Sequence, residues 1–213
     1  MNLLPKLTEV RERFKIEYPQ YWLDKLTNEI REANKHLNDG PLVTGQVLAI
    51  LRNQLANEEM IIPGISLYTP GVNIVTNDGD IYYAQLAMSD ALTDDFQAAG
   101  AGIRLGDDNT APNKTDTDVT SFLSGSDHVI DGSYPTSADA DADNTGSGAS
   151  VMTWTYSYLT SEGNVAAIIE GAISDVRAGP STAVLTHFLF ACVFTKTSSD
   201  TLKCIINHTV LGV

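Results

Sequence analysis

The spacing of apolar positions changes along the chain, and the change divides it. In the first sixty residues apolar positions recur every three or four. Leu7, Val10 and Phe14 make one such row, and Trp22, Leu26, Ile30, Ala33 and Leu37 make a second. Opposite the second row stand Asp24, Lys25, Glu29, Arg31, Glu32 and Lys35. Positions three and four apart share one face of a helix, so both rows predict amphipathic helices. Tyr18-Pro19 separates them, because the residue before proline avoids the helical region. Asn38-Asp39-Gly40-Pro41 is a helix stop. Val43, Val47, Leu51 and Leu55, widened by Leu48 and Ile50, predict a third helix.

From Met60 onward the texture is that of short strands between punctuating residues. Pro63-Gly64 and Pro70-Gly71 mark turns. Asp78-Gly79 between Val72–Thr76 and Ile81–Met88 predicts a β-hairpin. Gly102–Gly106 reads as a short strand bounded by glycines, and residues 107–121 as a polar Thr/Asp/Asn loop. In 151–158 the residues Val151, Thr153, Thr155 and Ser157 alternate with Met152, Trp154, Tyr156 and Tyr158, as in a strand, and 165–173 is a further apolar run.

The last stretch carries the strongest local signal. Leu185–Thr195 is apolar and aromatic, Lys196–Thr201 is rich in turn formers, and Leu202, Cys204, Ile206, His208 and Val210 then alternate with more polar positions. This predicts a hairpin in which Phe194 faces Leu202 and Cys192 faces Cys204. Its first strand is apolar on both sides, with Leu189, Ala191 and Val193 opposite the aromatic set, so it requires cover on both faces. The expected fold class is α+β, a helical N-terminal segment over 1–60 followed by an antiparallel β-sandwich-like domain over 61–213. A flexible acidic loop lies near 137–150, where Ala138–Asp143 alternates alanine with aspartate.

Composition narrows the functional classes. The net charge is −14, and 61–213 carries nearly all of it, with five basic against eighteen acidic residues. Such a body repels phosphate, so direct nucleic-acid binding is not expected. No apolar run is long enough to span a bilayer, and Met1–Pro5 does not start a signal peptide, which predicts a product made in the cytoplasm without a membrane partner. Two cysteines, Cys192 and Cys204, make no disulfide framework, and buried free thiols are expected.

Catalytic and metal motifs are missing. Gly40–Gly45 has the glycine spacing of a phosphate loop, but Gln46 stands where its lysine belongs. Ala99–Gly106 is one residue too long for a dinucleotide fingerprint. Asp139, Asp141 and Asp143 have the oxygen spacing of a calcium loop, with Asn144 at its glycine position and Ser150 at its glutamate position. His36, His128, His187 and His208 are scattered; only His187 and His208 would approach each other, across the hairpin. The chain is therefore read as non-enzymatic, with no catalytic residue, cofactor or metal.

Two stretches carry a resemblance. Gly102-Ile103-Arg104-Leu105-Gly106-Asp107-Asp108-Asn109-Thr110-Ala111-Pro112, followed by Lys114-Thr115-Asp116-Thr117, is the first, and Lys196–Leu202, preceded by Thr153-Trp154-Thr155 and an apolar strand, is the second. They resemble the β-rich modules of tailed-bacteriophage virion proteins of the tail-fibre, collar and minor structural type, over about residues 100–210. Asp107-Asp108 and the acidic loop around Asp139 depart from that pattern. The resemblance implies a virion structural protein (neck, tail, fibre attachment or a related part), located in the virion after assembly in the host cytoplasm. Its partners would be its own copies, as a homo-oligomer, and other virion proteins. The assembly surfaces expected are Leu189, Ala191 and Val193 on the strand and Trp22, Leu26 and Ile30 on the second helix. The alternative is a module for host-surface carbohydrate, with Trp154, Tyr156 and Tyr158 stacking on sugar rings.

Overall fold

A computed structural model describes residues 43–65, 73–139 and 150–210. The described residues form nine strands and one helix. In chain order they are β1 (Val43–Asn53), β2 (Glu58–Ile65), β3 (Asn73–Val75), α1 (Asn77–Met88), β4 (Gly102–Gly106), β5 (Thr136–Asp139), β6 (Ser150–Tyr158), β7 (Ile168–Ser174), β8 (Val184–Phe194) and β9 (Asp200–Val210). All pairings are antiparallel, in the order β4-β7-β8-β2-β1-β9-β6-β5, with β3 alongside β8. The result is an open, curled sheet. Among the described residues it is mostly β with one helix: the expected β part is antiparallel, but it forms an open curled sheet and not a sandwich. The first two expected helices, with Trp22, Leu26 and Ile30, lie outside the described residues.

The third expected helix is a strand. Val47, Ala49 and Leu51 of β1 point inward and are buried, while Leu48 and Ile50 are half-buried on the other face. A spacing of four satisfies a strand as well as a helix, because residues an even number apart share a strand face. After β1, Asn53 accepts the amides of Leu55 and Ala56 through its side chain (3.0 and 2.8 Å), and Asn57 takes a positive φ of 52°. That turn sends β2 back along β1, pairing Leu51 with Met60. Leu55, counted as part of the helical row, is exposed at the turn.

The expected Asp78-Gly79 hairpin is also corrected, to a helix. Thr76 caps α1 by accepting the Gly79 amide at 3.1 Å, and Asp78 and Asp80 in the first turn suit the positive end of the helix dipole. Ser89 closes the helix in the left-handed region, at φ 54°. Gly79 serves packing here. A Cβ at this position would lie 2.2 Å from the carbonyl oxygen of Leu185, so glycine lets the first turn sit against β8.

The expected terminal hairpin is not formed. β8 pairs with β7, β2 and β3, whereas β9 pairs with β1 and β6. The link between them crosses from one half of the curled sheet to the other. Asp200 fixes its tip by accepting Thr197 N and Oγ1 (2.8 and 2.6 Å) and the side-chain Nδ2 of Asn53 (2.9 Å). Phe188, Phe190 and Phe194 therefore meet Leu202, Cys204 and Ile206 across a shared core rather than side by side. Cys204 is buried and Cys192 exposed, both as free thiols. Trp154, Tyr156 and Tyr158 of β6 complete the core, with Tyr82 of α1 edge-on to Phe96 and tilted against Trp154.

Candidate functional site

The polar loop 107–121 lies as a strap across the outer face of β4, β7 and β8. Register sets that face: Arg104 is opposite Ala172, which is opposite His187, and Gly106 is opposite Glu170, which is opposite Leu189. Val119 of the strap packs with Ala172 and Val184 in a small apolar cluster. Every other fastening is polar. Arg104, 3% exposed, donates from Nε to Asp118 at 2.7 Å and from Nη1 to the carbonyls of Arg177 and Gly179, and its guanidinium covers the Phe122 ring at 3.8 Å. At its tip, Lys114 bonds Asp80 at 2.5 Å and its carbonyl accepts the Asn77 amide, which joins the strap to α1.

His187 is at the centre. Its Nδ1 lies 2.7 Å from Asp116 of the strap and its Nε2 lies 2.8 Å from Glu170 of β7. Glu170 is fully buried and also accepts the amides of Thr120 (3.0 Å) and Ser121 (2.8 Å). Gly106 makes room for this, since a Cβ there would lie 2.2 Å from Glu170 Oε1. Burial opposes a charge on His187, but the bonds to Glu170 and Asp116, with the charges they carry, outweigh it and raise the imidazole pKa above its ordinary value. Asp108 is held low, chiefly by its side-chain and backbone bonds to Thr110, with a smaller contribution from the field of His187. Both ring nitrogens of His187 are engaged by carboxylates, so the group is built as a clamp.

A second polar feature is a cleft of about 350 Å³ lined by Asp127, His128, Ser161, Glu162 and Arg177, with Gly125 and Gly163 at its turns. Gly163 has φ 56°, and a Cβ there would strike the Tyr158 ring at 2.6 Å. His128 packs against that ring at 4.5 Å, tilted by 49°, and bonds the Val129 carbonyl (2.8 Å) and Glu162 (3.2 Å). Arg177 reaches Asp127 at 3.2 Å, and its Nε is buried without a partner. Glu162 is held below the usual carboxylate range, first by the Leu159 amide and despite some burial. Among the described residues no cluster of His, Cys, Asp or Glu is arranged to hold a metal ion.

The third polar group is inside the core. Tyr83 of α1 shares a hydrogen bond with Nδ1 of His208 on β9 and accepts Trp154 Nε1 at 3.3 Å. His208 is fully buried and its Nε2 has no partner, as is true of the Tyr156 hydroxyl. Burial without a counter-charge pushes the His208 pKa down to about 3.

These placements revise the expected site residues. Leu189 is 7% exposed and buried within the chain itself, Ala191 is half-buried, and Val193 is 57% exposed. The cover that β8 requires on its second face thus comes, at His187 and its neighbours, from the strap. Trp154, Tyr156 and Tyr158, proposed to stack on sugars, are 0–1% exposed and belong to the core. His187 and His208 do not approach across a hairpin, because their strands lie in different halves of the sheet. The Asp139–Asp143 calcium spacing runs into residues outside those described. Sequence reading missed the His187 clamp, since its carboxylates come from a neighbouring strand and a loop. One signal was available: Glu170 is the single charged residue inside the apolar run Ile168–Ile173. No protein-family model, curated protein or solved structure matches the chain.

Proposed function

We propose that this chain is a non-enzymatic structural protein of a tailed-bacteriophage virion, a neck, tail or fibre-attachment component or a related minor part, acting by subunit assembly. The observation that carries the reading is how the strap is fastened. Glu170 and His187, buried on this face, bond the strap to the sheet, and buried Arg104 ties Asp118 of the strap to the Arg177 and Gly179 carbonyls of the β7–β8 connection. The residues that resemble virion modules supply that fastening: Gly102–Gly106 is β4, Asp116 clamps His187, and Lys114 ties the tip to α1. A loop locked in this way makes a rigid, acidic outer surface, which suits a part with fixed neighbours.

Its partners in this reading are further copies of itself and other virion proteins. The exposed end of β8 around Val193 is the part of the expected strand surface open to them. The carbohydrate-binding alternative has lost its aromatic platform to the core, and the cleft beside His128 offers no exposed ring in its place. The test is quantitative mass spectrometry of particles purified from the source lysate. Peptides of this chain at a constant ratio to the other particle proteins are expected. Synthesis in infected cells with absence from the particles would overturn the reading.

A further inference from the structure

Lys196 is the one buried lysine among the described residues, 1% exposed, at the crossing between β8 and β9. Its Nζ is 2.9 Å from the side-chain oxygen of Asn164, in the loop before β7. The approach is held from both sides. The Lys196 amide donates to the Val165 carbonyl at 3.0 Å, and Ile168 pairs with Phe194, so the two segments are joined through the main chain next to the side-chain contact. The Asn164 Nδ2 donates to the Thr160 carbonyl at 3.0 Å, which fixes the carboxamide with its oxygen toward the amine. Glu162 and Asp200 both act on Nζ through their charge.

We propose that Lys196 and Asn164 form an intramolecular amide cross-link. Burial favours the uncharged amine on Lys196, against the opposing pull of Asp200 and Glu162, and the neutral amine is the nucleophile. Nζ attacks Cγ of Asn164; the Nζ–Cγ bond forms and the Cγ–Nδ2 bond breaks. The proton lost from Nζ passes through a carboxylate to Nδ2, which leaves as ammonia. No oxidant or other reactant enters. Glu162, two residues before Asn164, is the carboxylate to which we assign this transfer: its charge acts on Nζ, and its bonds to Leu159 N and His128 both use Oε2. Both oxygens of Asp200 are engaged by Asn53 and Thr197. Asn164 is at the surface, which gives ammonia a way out. Fixed proximity supplies much of the driving advantage, because the encounter is already made in the folded chain.

The bond would close a loop 32 residues apart in sequence, containing β7 and β8, and would stabilise the fold chiefly by restricting the unfolded chain, as a disulfide does. It goes beyond the structural role proposed above and does not depend on it.

The intact mass of the full chain decides the matter. After prolonged incubation in mildly alkaline buffer, the mass is expected to fall short of the sequence mass by one ammonia. A protease digest should then contain a branched peptide joining the segments around 164 and 196. Lys196→Arg and Asn164→Ala should each restore the full mass and lower the melting temperature by several degrees; the second changes a surface residue, so folding is preserved. Wild-type protein at its full sequence mass would overturn the proposal. So would an ammonia deficit that persists in either variant, which would mark a succinimide at another asparagine.

Discussion

The two histidines on the last two strands occupy opposite environments, although both are buried. His187 sits between two carboxylates under the strap, and His208 sits in the core against a tyrosine hydroxyl, with one nitrogen unpartnered. Burial acts in the same direction on both, against the charged ring. At His187 the acidic partners reverse it, and at His208 nothing does. The accessible area of a titratable group therefore says little about its charge; the acceptors facing it decide. Their positions follow the same logic. The charged clamp holds a polar loop on the outside of the sheet, and the neutral histidine is part of the apolar interior.

The largest effect is expected at Glu170. Its removal leaves His187 and the amides of Thr120 and Ser121 without their buried acceptor. Glu170→Ala should cost about 3–5 kcal/mol in denaturant unfolding, and amide exchange should rise first across 107–121. A uniform rise over the whole sheet, with the strap no more affected than the rest, would contradict its role as the fastening.

The pH response separates the two histidines. For His208 the folded pKa of about 3 lies below the unfolded value of 6.5, so the unfolded chain takes up the proton first. Its contribution to stability is present above 6.5 and is lost as pH falls toward 3, at about 1.4 kcal/mol per pH unit. His187 has the reverse sign. Its folded pKa is raised, so its contribution is complete below 6.5 and is lost as pH rises through the folded value. His208→Phe should flatten the acid limb of the stability profile, and His187→Gln the alkaline limb. An exchange of those two assignments would break the comparison.

A smaller effect is expected at the hydroxyl serving His208. Tyr83→Phe leaves the edge-on ring contacts with Tyr82 and His208 in place and removes only the oxygen shared with His208 and Trp154. The cost should be about 1–3 kcal/mol, because buried polar atoms lose their partner, measured by thermal melting at neutral pH. The smallest effect belongs to the strap's exposed fastening. Lys114 and Asp80 are each 49% exposed, so Lys114→Ala should cost less than about 1 kcal/mol. A loss as large as that at Glu170 would show that the tip governs the strap rather than the clamp.

Much of the β pattern was legible. The expected strands at Gly102–Gly106, 151–158 and 165–173 match β4, β6 and most of β7, because alternation and bounding glycines are local signals. At β1 the row Val43, Val47 and Leu51 fits a four-residue helical spacing and an every-second-residue strand face alike. At α1 the Asp-Gly pair that favours a hairpin is equally at home in a helix's first turn once Thr76 caps it. In both cases the element was chosen by its neighbours: β9 and β2 for β1, and the Leu185 carbonyl packed against Gly79 for α1.

The sequence by itself determined much of the interior, though Cys192, expected to be a buried thiol on the same face, is exposed near the end of β8. Phe188, Phe190, Leu202, Cys204, Ile206, Trp154, Tyr156 and Tyr158 belong to faces that alternation identifies, and all are buried. Tertiary structure alone decided what each interior face meets. Phe190 and Cys204 satisfy the same alternation as hairpin neighbours or across a core, since burial is non-directional and only strand order separates the two. The same holds for the clamp. Asp116, Glu170 and His187 come from a loop and two strands, and their chemistry exists only once the curled sheet and the strap bring them within 2.8 Å.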